Sequence, residues 1–196
     1  MSEWSDVVRG RTQRETFETC GWKECPYNVS VLRKYSIDEK NPRVATKNFM
    51  DGLCCTIIGD TPFSINRMAS WGIKVLKSKY GYGDGIFIGV APFDIDQNEG
   101  YNHEKCGWYF DCYESTLLSG PPHNYKEKEY GPRKIRGQYV RTGDSVGVVM
   151  DTTKGELSFV LNEVNLGVAY EGVPLDNPLV PCVVLKYEGD SVELVI

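Results

Sequence analysis

The chain has 196 residues, of which 41% are hydrophobic and 25% charged, enough to bury a sizeable core without disulfides or metals as staples. Its net charge of −5 and pI of about 5.2 argue against a nucleic-acid-binding domain, whose footprint is a basic face. Twenty Gly and ten Pro, with twelve Tyr and seven Phe, favour many short strands and turns over helices.

The first residues have no apolar segment of the secretory type, and no run approaches the length of a membrane span. A soluble cytoplasmic protein is expected. The seven cysteines, an odd number in a non-secretory context, are expected as reduced thiols. Asn28-Val29-Ser30 matches a glycosylation acceptor but has no use without a secretory route. Residues 1–40 read as an N-terminal extension packing on a domain at 41–196. Ser2 to Gly10 suits one or two helical turns, with Trp4, Val7 and Val8 as an apolar patch. Cys20 to Tyr27 reads as irregular, with Trp22 and Tyr27 packing onto the domain. Lys34 to Arg43 is polar and holds Asn41-Pro42, a turn or extended pair.

From Val44 onward strand patterns recur. Leu53 to Ile58 ends at Gly59-Asp60, and Trp71 to Leu76 alternates bulky with small or polar residues. Ile86 to Val90 is of the buried type. Cys106 to Tyr113 places Trp108 and Phe110 on one face, with Cys112 at the same parity. Residues 77–85, 93–105 and 117–137 read as loops. A meander follows: an apolar run from Val146 to Met150, then Thr152-Thr153-Lys154-Gly155, where Gly155 supplies the positive φ of a short hairpin. Leu157, Phe159 and Leu161 then alternate with Ser158 and Val160, which turns the first three toward a core. Asn162-Glu163 offers a second turn before Leu166 to Tyr170. Leu179 to Lys186 and Val192 to Ile196 close the chain. Strands at this spacing indicate an all-β, two-sheet antiparallel sandwich.

The meander also carries a resemblance. Gly143 to Asp151, then Gly155-Glu156-Leu157-Ser158-Phe159, Asn162 and Leu166-Gly167-Val168-Ala169-Tyr170 resemble the SPRY domain. Ser70-Trp71-Gly72-Ile73-Lys74-Val75, Ile88-Gly89-Val90-Ala91, Cys106-Gly107-Trp108-Tyr109 and Pro181 after Leu179-Val180 follow the family's order. The resemblance spans about residues 40–196. It implies a bent β-sandwich with a few short N-terminal helical segments, acting as a protein-interaction module. At the second hairpin the family usually has Asn-Gly, where this chain has Asn162-Glu163.

No catalytic set assembles. His103, Cys106 and Cys112, with Cys20 or Cys25, are the candidate metal ligands, but they lack Cys-x-x-Cys spacing. Neither His103 nor His123 sits beside a nucleophile. Gly81-x-Gly83-x-Gly85 is followed by a strand rather than by the helix a phosphate loop needs. Asp94 to Glu99 has an acidic rhythm without calcium-loop spacing. No enzyme activity, cofactor or metal is expected.

The loops carry the functional expectation. They are rich in Tyr (Tyr80, Tyr82, Tyr101, Tyr125, Tyr130 and Tyr187), which offers large contact area with a polar tip. In family members paired with a SOCS box, a shallow loop pocket grips a short Asp/Asn-rich peptide. By position the resemblance implies Lys40, Pro42 and Ala45 as the first-loop set and Tyr101 as the mid-loop Tyr. It implies Tyr187 as the C-terminal aromatic, here in Tyr-Glu-Gly rather than Trp-Gly. No SOCS box, RING finger, B-box or coiled coil is visible, so ligase activity does not carry over. The expected partner is a protein or peptide, with no nucleic acid or membrane. Oligomeric state is open, a monomer being the default. A second expectation is a small-molecule or phospho-ligand sensor lined by Lys126, Arg133, Lys134 and Arg136, and a third is a Cys-dependent enzyme.

Overall fold

The structure is a computed structural model that describes residues 14–15, 20–24, 34–49, 53–97, 105–131 and 139–196. Its strands are β1 (Arg14–Glu15), β2 (Tyr35–Ile37), β3 (Val44–Lys47), β4 (Cys55–Ile58), β5 (Met68–Lys77), β6 (Ile86–Pro92) and β7 (Trp108–Asp111). They continue with β8 (Thr116–Ser119), β9 (Lys128–Glu129), β10 (Ser145–Asp151), β11 (Glu156–Leu161), β12 (Val164–Tyr170), β13 (Leu179–Leu185) and β14 (Ser191–Val195). One sheet runs β12-β11-β10-β5-β14-β3-β2, with β1 added beside β5, and the other runs β4-β13-β6-β7-β8-β9. Every pairing is antiparallel except β1 with β5.

The meander forms as its pattern requires. Gly155 has φ of 68° at the first hairpin, and its carbonyl accepts a hydrogen bond from the Val173 N–H. At the second hairpin Asn162 and Glu163 take φ of 44° and 71°. Two left-handed central residues make a primed turn, whose twist matches the flanking strands. The Asn162 side chain helps to hold it, since its Oδ1 accepts from the Ser145 N–H at 3.2 Å. The backbone of the usual Asn-Gly turn is therefore kept with Glu in the glycine position.

Period two then builds the core. Leu157, Phe159 and Leu161 are buried, as are Ala69, Trp71, Ile73 and Val75 of β5 and Val146, Val148 and Met150 of β10. They meet Ile86, Ile88, Val90, Trp108, Phe110 and Cys112 of the facing sheet. Each large side chain so buried stabilises the fold by about 1.5–3 kcal/mol relative to an exposed one. The outer face of that second sheet is covered too. Ile58, Ala91, Tyr109, Val180, Cys182 and Val184 form a second cluster, joined by Ile95 and the partly buried Phe93. Every residue of β13 is buried, which explains its continuous apolar run. Gln97 pins the covering segment by donating to Tyr35 Oη at 2.9 Å and to the Thr56 carbonyl at 3.2 Å.

Two stretches differ from expectation. Residues 117–137 hold the end of β8 and all of β9 rather than loop alone. β8 is only four residues long, with Leu117 and Ser119 buried, too short for an alternation to stand out beside its Gly- and Pro-rich continuation. The polar stretch 34–43 holds β2, which pairs with β3. Trp22 packs on the domain as expected, is buried, and donates its backbone N–H to the Pro42 carbonyl at 3.0 Å. The expected helical segment at residues 2–10, and Tyr27, lie outside the described residues, which contain no helix.

Candidate functional site: a tyrosine-bearing loop end

Strand register sends four segments to one end of the sandwich. These are the β5–β6 loop (78–85), the β7–β8 turn (112–115), residues 139–144 before β10, and the β13–β14 loop (186–190). Backbone hydrogen bonds knit them together. The Gly83 N–H donates to Val140 O at 2.6 Å, Val140 N–H to Cys112 O at 2.8 Å, and Cys112 N–H to Ile86 O at 3.0 Å. The loops lie so close that a Cβ on Gly83 would stand 2.5 Å from Cys112 Cβ, so only glycine fits. Ser78 donates its N–H to Thr142 Oγ1 at 3.1 Å and its hydroxyl to the Tyr82 carbonyl.

Asp190 ties in the last loop. Its buried carboxylate accepts the Lys79 N–H at 2.9 Å and the Tyr187 N–H at 3.0 Å. Burial raises its pKa, and those two N–H bonds oppose the rise. Asp111 caps the β7–β8 turn, accepting the Tyr113 N–H at 2.7 Å and the Glu114 N–H at 3.3 Å. Burial pushes its carboxyl up to about 6.

Five tyrosines stand on this frame in a contiguous chain. Tyr187 meets Tyr80 edge-on at 5.1 Å, and Tyr80 stacks with Tyr82 at 6.2 Å. Tyr82 lies 5.5 Å from both Tyr113 and Tyr139, which stack on each other at 4.9 Å and 15°. Tyr80 is 48% and Tyr139 44% exposed, and the other three are half-buried. The β3–β4 connection leaves Phe49 and Leu53 exposed at the same end. Charge is divided across the surface. Lys79 and Lys186 lie 5.4 and 5.2 Å from the Tyr187 ring, whose hydroxyl donates to Asp84 at 3.1 Å, while Glu114 is exposed beside Tyr113.

Of the residues expected to bind a partner, Tyr187 is part of this surface. Lys40 and Pro42 are exposed, but they precede β3 and lie at the opposite end of that strand from the Tyr187 loop. Ala45 is fully buried opposite Val192 and offers a partner no side-chain surface, because strand parity turns it into the core. Tyr101 lies outside the described residues. Tyr80 and Tyr82 belong to the loop set, but Tyr125 and Tyr130 turn inward. Tyr125 stacks on Tyr170, and Tyr130 donates to Gly167 O and accepts from the Phe159 N–H. Tyr113 and Tyr139 escaped the sequence reading. The signal for Tyr113 was its parity, one residue out of step with the inward Trp108, Phe110 and Cys112.

The other chemical candidates are used structurally or lie beyond the described residues. His123 accepts the Trp108 indole N–H on Nδ1 at 3.1 Å. An indole only donates, so the ring proton sits on Nε2, which lies 2.7 Å from the Glu171 carbonyl. His103, Arg133, Lys134 and Arg136 lie outside the described residues, and Lys126 is exposed. Among the described residues no cluster of three His, Cys, Asp or Glu side chains suits a metal. Burial pushes the Cys20 thiol up to about 11 and Cys182 to about 12, and raises Cys106 and Cys112, so these thiols stay protonated and weakly nucleophilic near neutral pH. No described helix is long and apolar enough to cross a membrane.

The SPRY domain family matches residues 69–196. The fold is similar to the crystal structure of the SPRY domain of human HERC1, with TM-score 0.63 and 19% identity over 82% of this chain and 91% of that one. A second human SPRY domain gives TM-score 0.62 at 14% identity, covering 89% of this chain and 96% of the other. The PSpry domain of TRIM65 gives 0.54 at 14% identity, covering 84% and 86%. No curated protein matches the chain by sequence. With the family matched over more than half its length and the sandwich shared with solved members, the chain belongs to the SPRY domain family, whose members are protein-interaction modules.

Proposed function

We propose that this chain recognises a partner protein through its tyrosine-bearing loop end and performs no chemistry of its own. The observation that carries the reading is the joining of five tyrosines, from four separate loops, into one partly exposed surface. Tyr supplies broad contact area at low entropic cost, and loops already held by backbone hydrogen bonds lose little further freedom on binding. The proposed setting is the cytoplasm, which suits Cys20, Cys106, Cys112 and Cys182 as free thiols.

The test is affinity capture from native lysate with three proteins: wild type, Tyr139→Ala/Tyr187→Ala, and Lys40→Glu/Pro42→Ala at the opposite end. Partners lost with the tyrosine variant and kept by the other support the reading. Partners kept by the tyrosine variant and lost with the Lys40/Pro42 variant would move the surface to the other end of β3.

A further inference from the structure

We propose that the tyrosine-bearing end takes a proline-rich segment in the polyproline II conformation, with a basic residue of that segment lying toward Glu114. This rests on the interaction reading above and specifies its partner chemistry.

The rings decide the shape of the guest. Tyr82, Tyr113 and Tyr139 are inclined to one another by 15° to 38° with centroids 4.9 to 5.5 Å apart. Rings in mutual contact leave no room to enclose a cation between them, so they form a ridged platform of outer faces and edges rather than a cage. A platform with hydroxyl tips suits a guest having flat apolar faces and unsatisfied carbonyls. Proline in polyproline II has both: its ring packs face-on against an aromatic ring, and its backbone carbonyls remain open to donors. The conformation repeats every three residues, about 9 Å. The chain of tyrosines continues from this platform through Tyr80 to Tyr187 in steps of 6.2 and 5.1 Å, so an extended guest meets aromatic rings along its length.

The other recurring peptide modes fit less well. Strand addition needs an open sheet edge, and this surface is built from loops. A docked helix needs an aliphatic groove, and an acidic or phosphorylated motif needs an arginine cluster; Arg141 is the only described arginine at this end. Charge then sets direction. Lys79 and Lys186 flank Tyr187, whereas Glu114, exposed and without an ion pair among the described residues, stands beside Tyr113. A basic residue of the guest is complementary to the Glu114 side.

The experiment is fluorescence anisotropy with the full chain and three labelled peptides: a proline-rich peptide ended by arginine, the same peptide ended by glutamate, and a glycine–serine control. The arginine-ended peptide should bind best. Tyr139→Ala should weaken it about tenfold or more, as expected for a contact residue, while Tyr139→Phe, which keeps the ring, should weaken it less. Glu114→Lys should transfer the preference to the glutamate-ended peptide. Proline-rich peptides that bind no better than the control, or binding indifferent to Tyr139→Ala, would overturn the proposal. If lysate partners depend on Tyr139 and Tyr187 but the arginine-ended peptide fails to displace them, the polyproline assignment falls while the interaction reading stands. If the partners ignore both tyrosines, both fall.

Discussion

The two ends of the sandwich are both rich in aromatic rings, yet they use them in opposite ways. At one end Tyr80, Tyr82, Tyr113, Tyr139 and Tyr187 lie on short knitted loops and leave ring surface open. At the other, the rings close the structure. Tyr170 is buried, stacks with Tyr125 at 5.4 Å and donates its hydroxyl to Tyr109 O at 2.8 Å and Leu118 O at 2.9 Å. Trp108 and His123 complete that plug. The difference teaches that aromatic content alone does not mark an interface. What matters is how much ring surface stays exposed once each ring has its partners inside the protein: Tyr80 and Tyr139 keep nearly half, and Tyr170 almost none.

The largest expected effect tests that contrast directly. Tyr170→Ala removes a fully packed ring and the hydroxyl that donates to Tyr109 O and Leu118 O, so it should cost about 4 kcal/mol in urea unfolding. Tyr139→Ala at the exposed end should cost less than about 1 kcal/mol while weakening partner binding. Equal losses in stability would erase the distinction between the two ends.

The next effect concerns the frame beneath the exposed rings. Asp111 carries a carboxyl raised to about 6 by burial, against an ordinary value of 3.8. The folded chain therefore holds that proton more tightly than the unfolded chain does. This group's contribution to stability is complete below pH 3.8 and is lost as pH rises toward about 6. The loss is on the order of 3 kcal/mol. Comparing urea midpoints of wild type and Asp111→Asn between pH 4 and 7 isolates it, the variant lacking this part of the decline. Parallel profiles would show that Asp111 does not couple the β7–β8 turn to protons.

The smallest effect is a gain. Glu163 holds φ of 71°, a conformation that disfavours a residue with a Cβ. Glu163→Gly should raise stability by about 0.5–1 kcal/mol, after the added chain entropy of glycine is subtracted. It should leave partner binding unchanged, since Glu163 is not among the tyrosine contacts. A loss of stability would mean that the Glu163 side chain contributes to the fold in a way its backbone strain conceals.

Much of the fold was legible before any coordinates. The alternation of Leu157, Phe159 and Leu161, the shared parity of Trp108, Phe110 and Cys112, and the turn residues around Gly155 are local patterns, and local patterns survive folding. Four-residue β8 was missed because so short a strand has no visible period. The candidate surface was only half legible. Tyr80, Tyr82 and Tyr187 stood out by loop position, but Tyr125 and Tyr130 had the same appearance and turned inward.

By itself, then, the sequence determined the antiparallel sandwich, the family resemblance and the inward face of most strands, because a period of two dictates which side chains share a face. Tertiary structure alone decided that Tyr187 sits with Tyr113 and Tyr139 rather than with Lys40 and Pro42. Residues 80, 113, 139 and 187 belong to four separate segments, and the register of β6 on β7 and of β13 on β6 carries them to one end. Register is a property of paired strands, and no single segment encodes it alone.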